Sequence, residues 1–113
     1  MLQEAHSRAM AGGFRRVAAL SLTRLAEAWK HRGDHDRARE SLNESDGLTG
    51  RAADCYDDIL FLNTFHRWVM ARAEGHGTRE KVAFGRLRHL RSSLQRRFPE
   101  VEEFDHHIER TRR

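Results

Sequence analysis

Eight histidines, one cysteine and a run of aspartates are the residues from which this chain could build a catalytic or metal site. Zinc needs three or four N, S or O donors converging tetrahedrally. His31, Asp34 and His35 crowd one turn, but Gly33 interrupts them, so the two imidazoles do not share a helical face. His106 and His107 are adjacent and would point about 100° apart on a helix. No HExxH and no paired CxxC occurs. The reading is exposed histidines, with no metal and no cofactor. Cys55 and His66 stand eleven residues apart on one predicted helix. That separation is about 16 Å along the axis, too far for a nucleophile and its base. Cys55 reads as a small core residue. Asp54, Asp57 and Asp58 suit the first turn of a helix, where the macrodipole favours negative charge. Arg72 and His76 approach the Arg–His spacing of a small all-helical ribonuclease, but His76 lies between two glycines. Gly12-Gly13 and Gly75-His76-Gly77 lack the Lys and Ser/Thr of a phosphate loop. No enzyme is expected.

A basic segment offers binding rather than catalysis. Between residues 79 and 98 stand Arg79, Lys81, Arg86, Arg88, Arg91, Arg96 and Arg97 against one acid, Glu80. Such a helix could lie along a phosphate backbone and would bind in a salt-dependent way. It does not have the look of a recognition helix behind a tight helix–turn–helix. The segment after it carries Glu100, Glu102, Glu103 and Asp105 and is placed to fold back and neutralise it. Nucleic-acid binding through residues 79–97 is therefore the alternative reading, with an acidic protein partner as a further one.

The elements that must position these residues are helices. The chain has 113 residues, 38% hydrophobic and 34% charged, with one Pro and a formal charge of +4. Apolar residues recur at helical spacing, and no stretch alternates with period two, so the fold class is all-α. Residues 2–10 make at most a frayed helix. Residues 14–32 follow, with Phe14, Val17, Ala18, Leu22, Leu25 and Trp29 on one face. Gly33 stops that helix, and Asp34 is the predicted N-cap of the next, which reaches about Glu44 with Ala38 and Leu42 inward. "SDGLTG" reads as a loop. Residues 51–74 form the longest helix, roughly 36 Å at 1.5 Å per residue. Its centre, "ILFLNTFHRWVM", is apolar on several sides and is predicted to be the buried spine. Thr78 is the predicted N-cap of a helix over 79–98, with Val82, Leu87, Leu90, Leu94 and Phe98 inward. Pro99 opens a last helix at the position where proline is favoured, with Val101, Phe104 and Ile108 as its apolar stripe.

The segment over 19–50 resembles the tetratricopeptide repeat, a helix–turn–helix of 34 residues with small and large side chains at fixed places. Leu22 stands where that family often has Trp. Leu25 and Ala26 fill its Leu and small-residue positions, and Trp29 replaces Tyr. Ala38 is the small residue of the second helix, and Leu42 replaces Phe. Gly50 stands where the family closes its repeat with Pro. The resemblance implies antiparallel helical hairpins in a short solenoid, with 19–50 as the repeat-like hairpin. Residues 51–98 form a longer, divergent hairpin and 99–112 a capping helix, all in one domain over 1–113. It further implies a module that binds a partner peptide or helix, or pairs with itself as a dimer. The first helix would line the concave face, placing Thr23, Arg24, Glu27, Lys30 and His31 on the partner. Some members clamp a terminal carboxylate with Lys and Asn there; Thr23 and Glu27 stand at those positions, so that activity is not implied. One cysteine, no apolar leader in "MLQEAHSRAM" and no apolar run near the roughly 20 residues of a membrane span favour a cytoplasmic protein away from membranes.

Overall fold

A computed structural model describes residues 15–49, 56–94 and 97–111. Among them the chain is helical, without strands: α1 Arg15–His31, α2 His35–Thr49, α3 Asp57–Glu74, α4 Gly77–Ser93 and α5 Pro99–Thr111. The main pairings are α1 on α2 and α3 on α4, and α3 also packs against both α1 and α2. No helix of the described residues is long and apolar enough to cross a membrane.

Both hairpins reverse by the same device. Gly33 adopts φ 82° and Gly75 φ 67°, a left-handed conformation that costs glycine little. At the first turn the Gly33 N–H donates to the Lys30 carbonyl and the Asp34 N–H to the Trp29 carbonyl. At the second, the Gly75 N–H donates to Arg72 and the His76 N–H to Ala71. These paired bonds are the Schellman closure, which satisfies the last carbonyls of a helix. Asp34 then caps α2 as predicted, its Oδ1 accepting from the Arg37 N–H at 3.1 Å. The cap of α4 differs from the predicted Thr78. His76 fills that role, its Nδ1 accepting from the Arg79 N–H at 3.2 Å, so α4 starts at Gly77.

Ala26 and Ala38 meet in the interior and let α1 and α2 approach closely, with Leu42, Met70 and Trp29 around them. The inward stripe of α1 differs from the predicted one. It consists of Ala19, Thr23 and Ala26, whereas Val17 and Leu25 are 59% and 46% exposed. Larger side chains on that stripe would hold α1 away from α2 and α3. Phe14 lies outside the described residues.

A polar network explains why α2 runs through the stretch predicted as a loop. Ser45, Thr23 and Asn63 are all fully buried where α1, α2 and α3 meet. Asn63 Nδ2 donates to Ser45 Oγ at 3.0 Å and to Asp46 Oδ1 at 2.9 Å. Ser45 Oγ donates to the Ala19 carbonyl at 2.9 Å, and the Thr23 hydroxyl donates to Asn63 Oδ1. Helical backbone through residue 49 is what presents Ser45 and Asp46 to Asn63 on one side. Tertiary bonds here outweigh the turn preference of Ser, Asp and Gly.

α3 is the spine predicted from its composition, buried without interruption from Ile59 to His66. It starts at Asp57, later than the predicted Arg51, because Tyr56 is not helical and stands at the N-cap; Arg51, Asp54 and Cys55 lie outside the described residues. Across α3, α4 and α5 the core is aromatic. Phe61, Trp68 and Phe84 close around Phe104 with ring centroids 5.5–5.8 Å apart, the spacing at which edge-to-face pairs are favourable. α4 turns Ala83, Leu87 and Leu90 inward and ends at Ser93, short of the predicted 98. Leu94 is extended, and it and Phe98 still pack on the core from outside the helix. Val82, expected inside, is 69% exposed. Pro99 opens α5 as expected, with Val101 and Phe104 fully buried.

Candidate functional site

The α1 residues expected on a partner surface are split by burial. Thr23 is fully enclosed by the network described above, so the expectation that it meets a partner does not hold. Arg24, Glu27, Lys30 and His31 gather at the end of α1 beside His66 of α3. Glu27 pairs with Arg24 at 3.1 Å and lies 3.9 Å from His31 Nε2. Lys30 Nζ donates to His66 Nδ1 at 2.8 Å. That bond leaves the imidazole proton on Nε2, which is buried, has no hydrogen-bond partner and stands 3.8 Å from Glu27. Burial, and then the Lys30 charge, push the His66 pKa down to about 4, so the ring is neutral at pH 7. Burial also lowers Lys30, partly opposed by Glu27.

The basic segment does not present one continuous stripe. Arg91 donates to Asp105 through Nε at 3.0 Å and Nη2 at 2.9 Å. α5 thus neutralises it, and the same bonds hold the Asp105 carboxyl below its ordinary value. Arg79 and Arg86 lie on one side of α4. Arg88 lies on another, beside Lys81, Phe84 and Trp68. Arg97 is exposed, and Arg96 lies outside the described residues.

Arg79 and Arg86 belong to a groove of 380 Å³ between α2, α3 and α4. Beneath it Met70, Ala71 and Ala83 are buried in the protein's own cores, and Val82 alone of its apolar residues stands exposed, on the α4 wall. Guanidinium groups ring it. Arg39 on α2 donates to Glu74 at 2.9 Å, and Arg67 on α3 pairs with Asp46 at 2.7 Å. The Arg39 hydrogen bond holds the Glu74 carboxyl below its ordinary value. None of the five α1 residues lines this groove. The sequence signal for it was Arg67, a lone charge inside an otherwise apolar run. Pairing it with Arg79 and Arg86 requires knowing how the two hairpins sit.

The remaining candidates have structural partners. His35 lies 3.2 Å from Glu74, away from His31. His107 packs its ring 4.8 Å from Trp68. Arg72 lies over the Trp68 ring at 4.8 Å, and His76 is the α4 cap. Asp58 pairs with Arg16, at 3.0 Å to Nη1. Among the described residues no three His, Cys, Asp or Glu side chains converge as metal ligands. No family model matches the chain, and neither a curated protein nor a solved structure resembles it significantly.

Proposed function

We propose that the protein is a tetratricopeptide-like interaction module of the cytoplasm that holds a segment of another protein and performs no catalysis. Two helical hairpins form the body, and α5 caps it. The observation that carries this reading is the groove between α2, α3 and α4, where a valine that is 69% exposed stands among arginines of three helices. An isolated exposed valine needs no explanation, but one on the wall of a groove ringed by guanidinium groups belongs to a surface that a partner can cover. The repeat-like spacing of Ala26, Gly33 and Ala38 supports the family resemblance, and the packing of α3 against both helices of the first hairpin agrees with stacked units.

A photoreactive residue tests this. Placed at position 82 in the native host, it is expected to crosslink to a discrete protein. The same residue at position 17, also exposed but on α1, is expected not to. Equal products from both positions, or none from 82, would overturn the reading. Light scattering at two concentrations adds a check on the occupant: a mass that doubles in the wild type and not in Val82→Asp makes a second copy the partner.

A further inference from the structure

We infer that Lys30 is a nucleophilic amine, the position at which this protein takes up an activated acyl group carried as a phosphate or a thioester. The inference stands on the cluster of Glu27, Lys30 and His66 between α1 and α3 and does not depend on the groove.

The choice of cation is the first observation. The chain holds 21 lysines and arginines, and only Lys30 and Lys81 are lysines. Arginine stays charged in proteins, whereas lysine gives up its proton readily when water is withdrawn from it. Lys81 is exposed, as an ordinary surface cation is. Lys30 is half-buried in the last turn of α1, and its closest polar partner is a histidine rather than a carboxylate, with Nζ 2.8 Å from His66 Nδ1. A neutral imidazole accepts a hydrogen bond from the amine but offers an ammonium no opposite charge. Burial lowers the Lys30 pKa, opposed by Glu27 of its own helix and by Glu103 and Glu100 of α5. The neutral fraction at pH 7.5 therefore exceeds that of an ordinary lysine, which is about one in a thousand.

His66 is the second observation. Its ring is 3% exposed, and with Nδ1 facing the amine its proton sits on Nε2. That nitrogen is buried, has no hydrogen-bond partner among the described residues and stands 3.8 Å from the Glu27 carboxylate. A buried donor left without a partner is costly to keep. It suits a ring that becomes charged only in passing: when Nδ1 takes a proton, the carboxylate facing Nε2 stabilises the imidazolium. Carboxylate, imidazole and nucleophile in that order are the arrangement of an activated nucleophile.

The step balances without an oxidant or reductant. Neutral Nζ attacks the acyl carbon, and a C–N bond forms. One Nζ proton passes to His66 Nδ1. The bond from the acyl carbon to phosphate oxygen or thioester sulfur breaks, its electron pair leaving with that atom, and His66 returns the proton to solvent. The products are an amide at Lys30 and free phosphate or thiol. One acyl group is taken up per chain, so this is modification rather than turnover. It also removes the Lys30 charge. After burial, that charge is the main cause of the low His66 pKa, so the imidazole should titrate at higher pH once Lys30 is acylated.

The test exposes the intact protein at pH 7.5 to acetyl phosphate and, in a separate arm, to acetyl-coenzyme A. Acetylation at positions 30 and 81 is followed by peptide mass spectrometry, with Lys81 as the reference inside the same molecule. Lys30 is expected to react about tenfold faster than Lys81 although it is the less exposed, and its rate should level off at a lower pH. In urea, where both are ordinary amines, the difference should vanish. His66→Asn keeps an acceptor for Nζ but cannot take up the proton. It should bring Lys30 down to the rate of Lys81 and leave Lys81 unchanged, with helix content checked by circular dichroism. If that variant does not fold, the wild-type pH profile and the urea arm decide. A Lys30 preference with one donor alone assigns the uptake to that donor. Lys30 reacting no faster than Lys81 with both donors overturns the inference, as does a preference that survives urea or the loss of His66.

Discussion

His66 shows how one residue can make the fold sensitive to pH. It sits inside α3, faces Lys30, Glu27, Arg24 and His31 of α1, and is 3% exposed. Burial first, and the Lys30 charge second, push its pKa from 6.5 down to about 4. Between those values the unfolded chain binds a proton that the folded chain refuses, so stability falls as the pH drops through that window. A shift of this size corresponds to about 3 kcal/mol at most, reached near pH 4. His107, also lowered by burial, pulls in the same direction. Asp58, Glu74 and Asp105 are held below their ordinary values, so their contributions fade in stronger acid. His66→Asn keeps an acceptor for Lys30 while removing the titration. We expect urea midpoints to be flat above pH 7 in both proteins and to fall less steeply between pH 6.5 and 4.5 in the variant. Parallel slopes would show that His66 does not refuse the proton.

At the scale of the element, glycine separates backbone need from helix cost. Gly75 closes α3 in the left-handed region, where an alanine is strained; Gly85 lies in the interior of α4, and a Cβ there would meet nothing within 4 Å. Gly75→Ala is expected to cost about 1 kcal/mol and Gly85→Ala to add about 1 kcal/mol. Chemical denaturation checks both, and a loss on Gly85→Ala would contradict the open space above that residue. The same distinction explains what the sequence disclosed. Gly33, Asp34 and Pro99 act through their own backbones and neighbours within a turn, so the reversal, the α2 cap and the start of α5 could be read directly. The 44–49 stretch could not, because its helix depends on Asn63, eighteen residues beyond Ser45. Val17, Leu25 and Val82 match a helical period, but period alone does not say which apolar residues a neighbouring helix will cover. The groove was least legible, since its arginines come from three helices and only the stacking of the hairpins brings them together. Arg24, Glu27, Lys30 and His31, which the repeat resemblance assigns to a partner surface, lie around His66, a neighbour on α3 that the resemblance did not supply.

Over the whole molecule the interior is unevenly divided, and that sets how it should open. The shape is elongated, 55 × 31 × 21 Å. The larger core joins α3, α4 and α5 through Phe61, Phe65, Trp68, Leu87 and Phe104. α1 and α2 rely on two smaller clusters, one around Ala26, Ala38, Leu42 and Met70 and another around Ala19 and Ile59. Their link to α3 is reinforced by the buried Thr23–Ser45–Asn63 network and the Arg16–Asp58 pair. Alanine contacts remove little apolar area from water, so each turn of α1 gains less from burial than each turn of α3. In stacked helical units, stability is a sum of unit and interface terms, and the weaker unit can open first. Native-state hydrogen exchange should therefore find α1 and α2 amides less protected than those of α3 from Ile59 to Met70. Asn63→Ala deletes the donor to Ser45 and Asp46 and the acceptor for Thr23, an expected cost of about 1–3 kcal/mol. Because Asn63 lies at the seam, this cost should appear as earlier opening of α1 and α2, while α4 and α5 keep their relative order of exchange. Uniform acceleration in all five helices would instead make the molecule a single cooperative block, with the first hairpin as firmly held as the aromatic core.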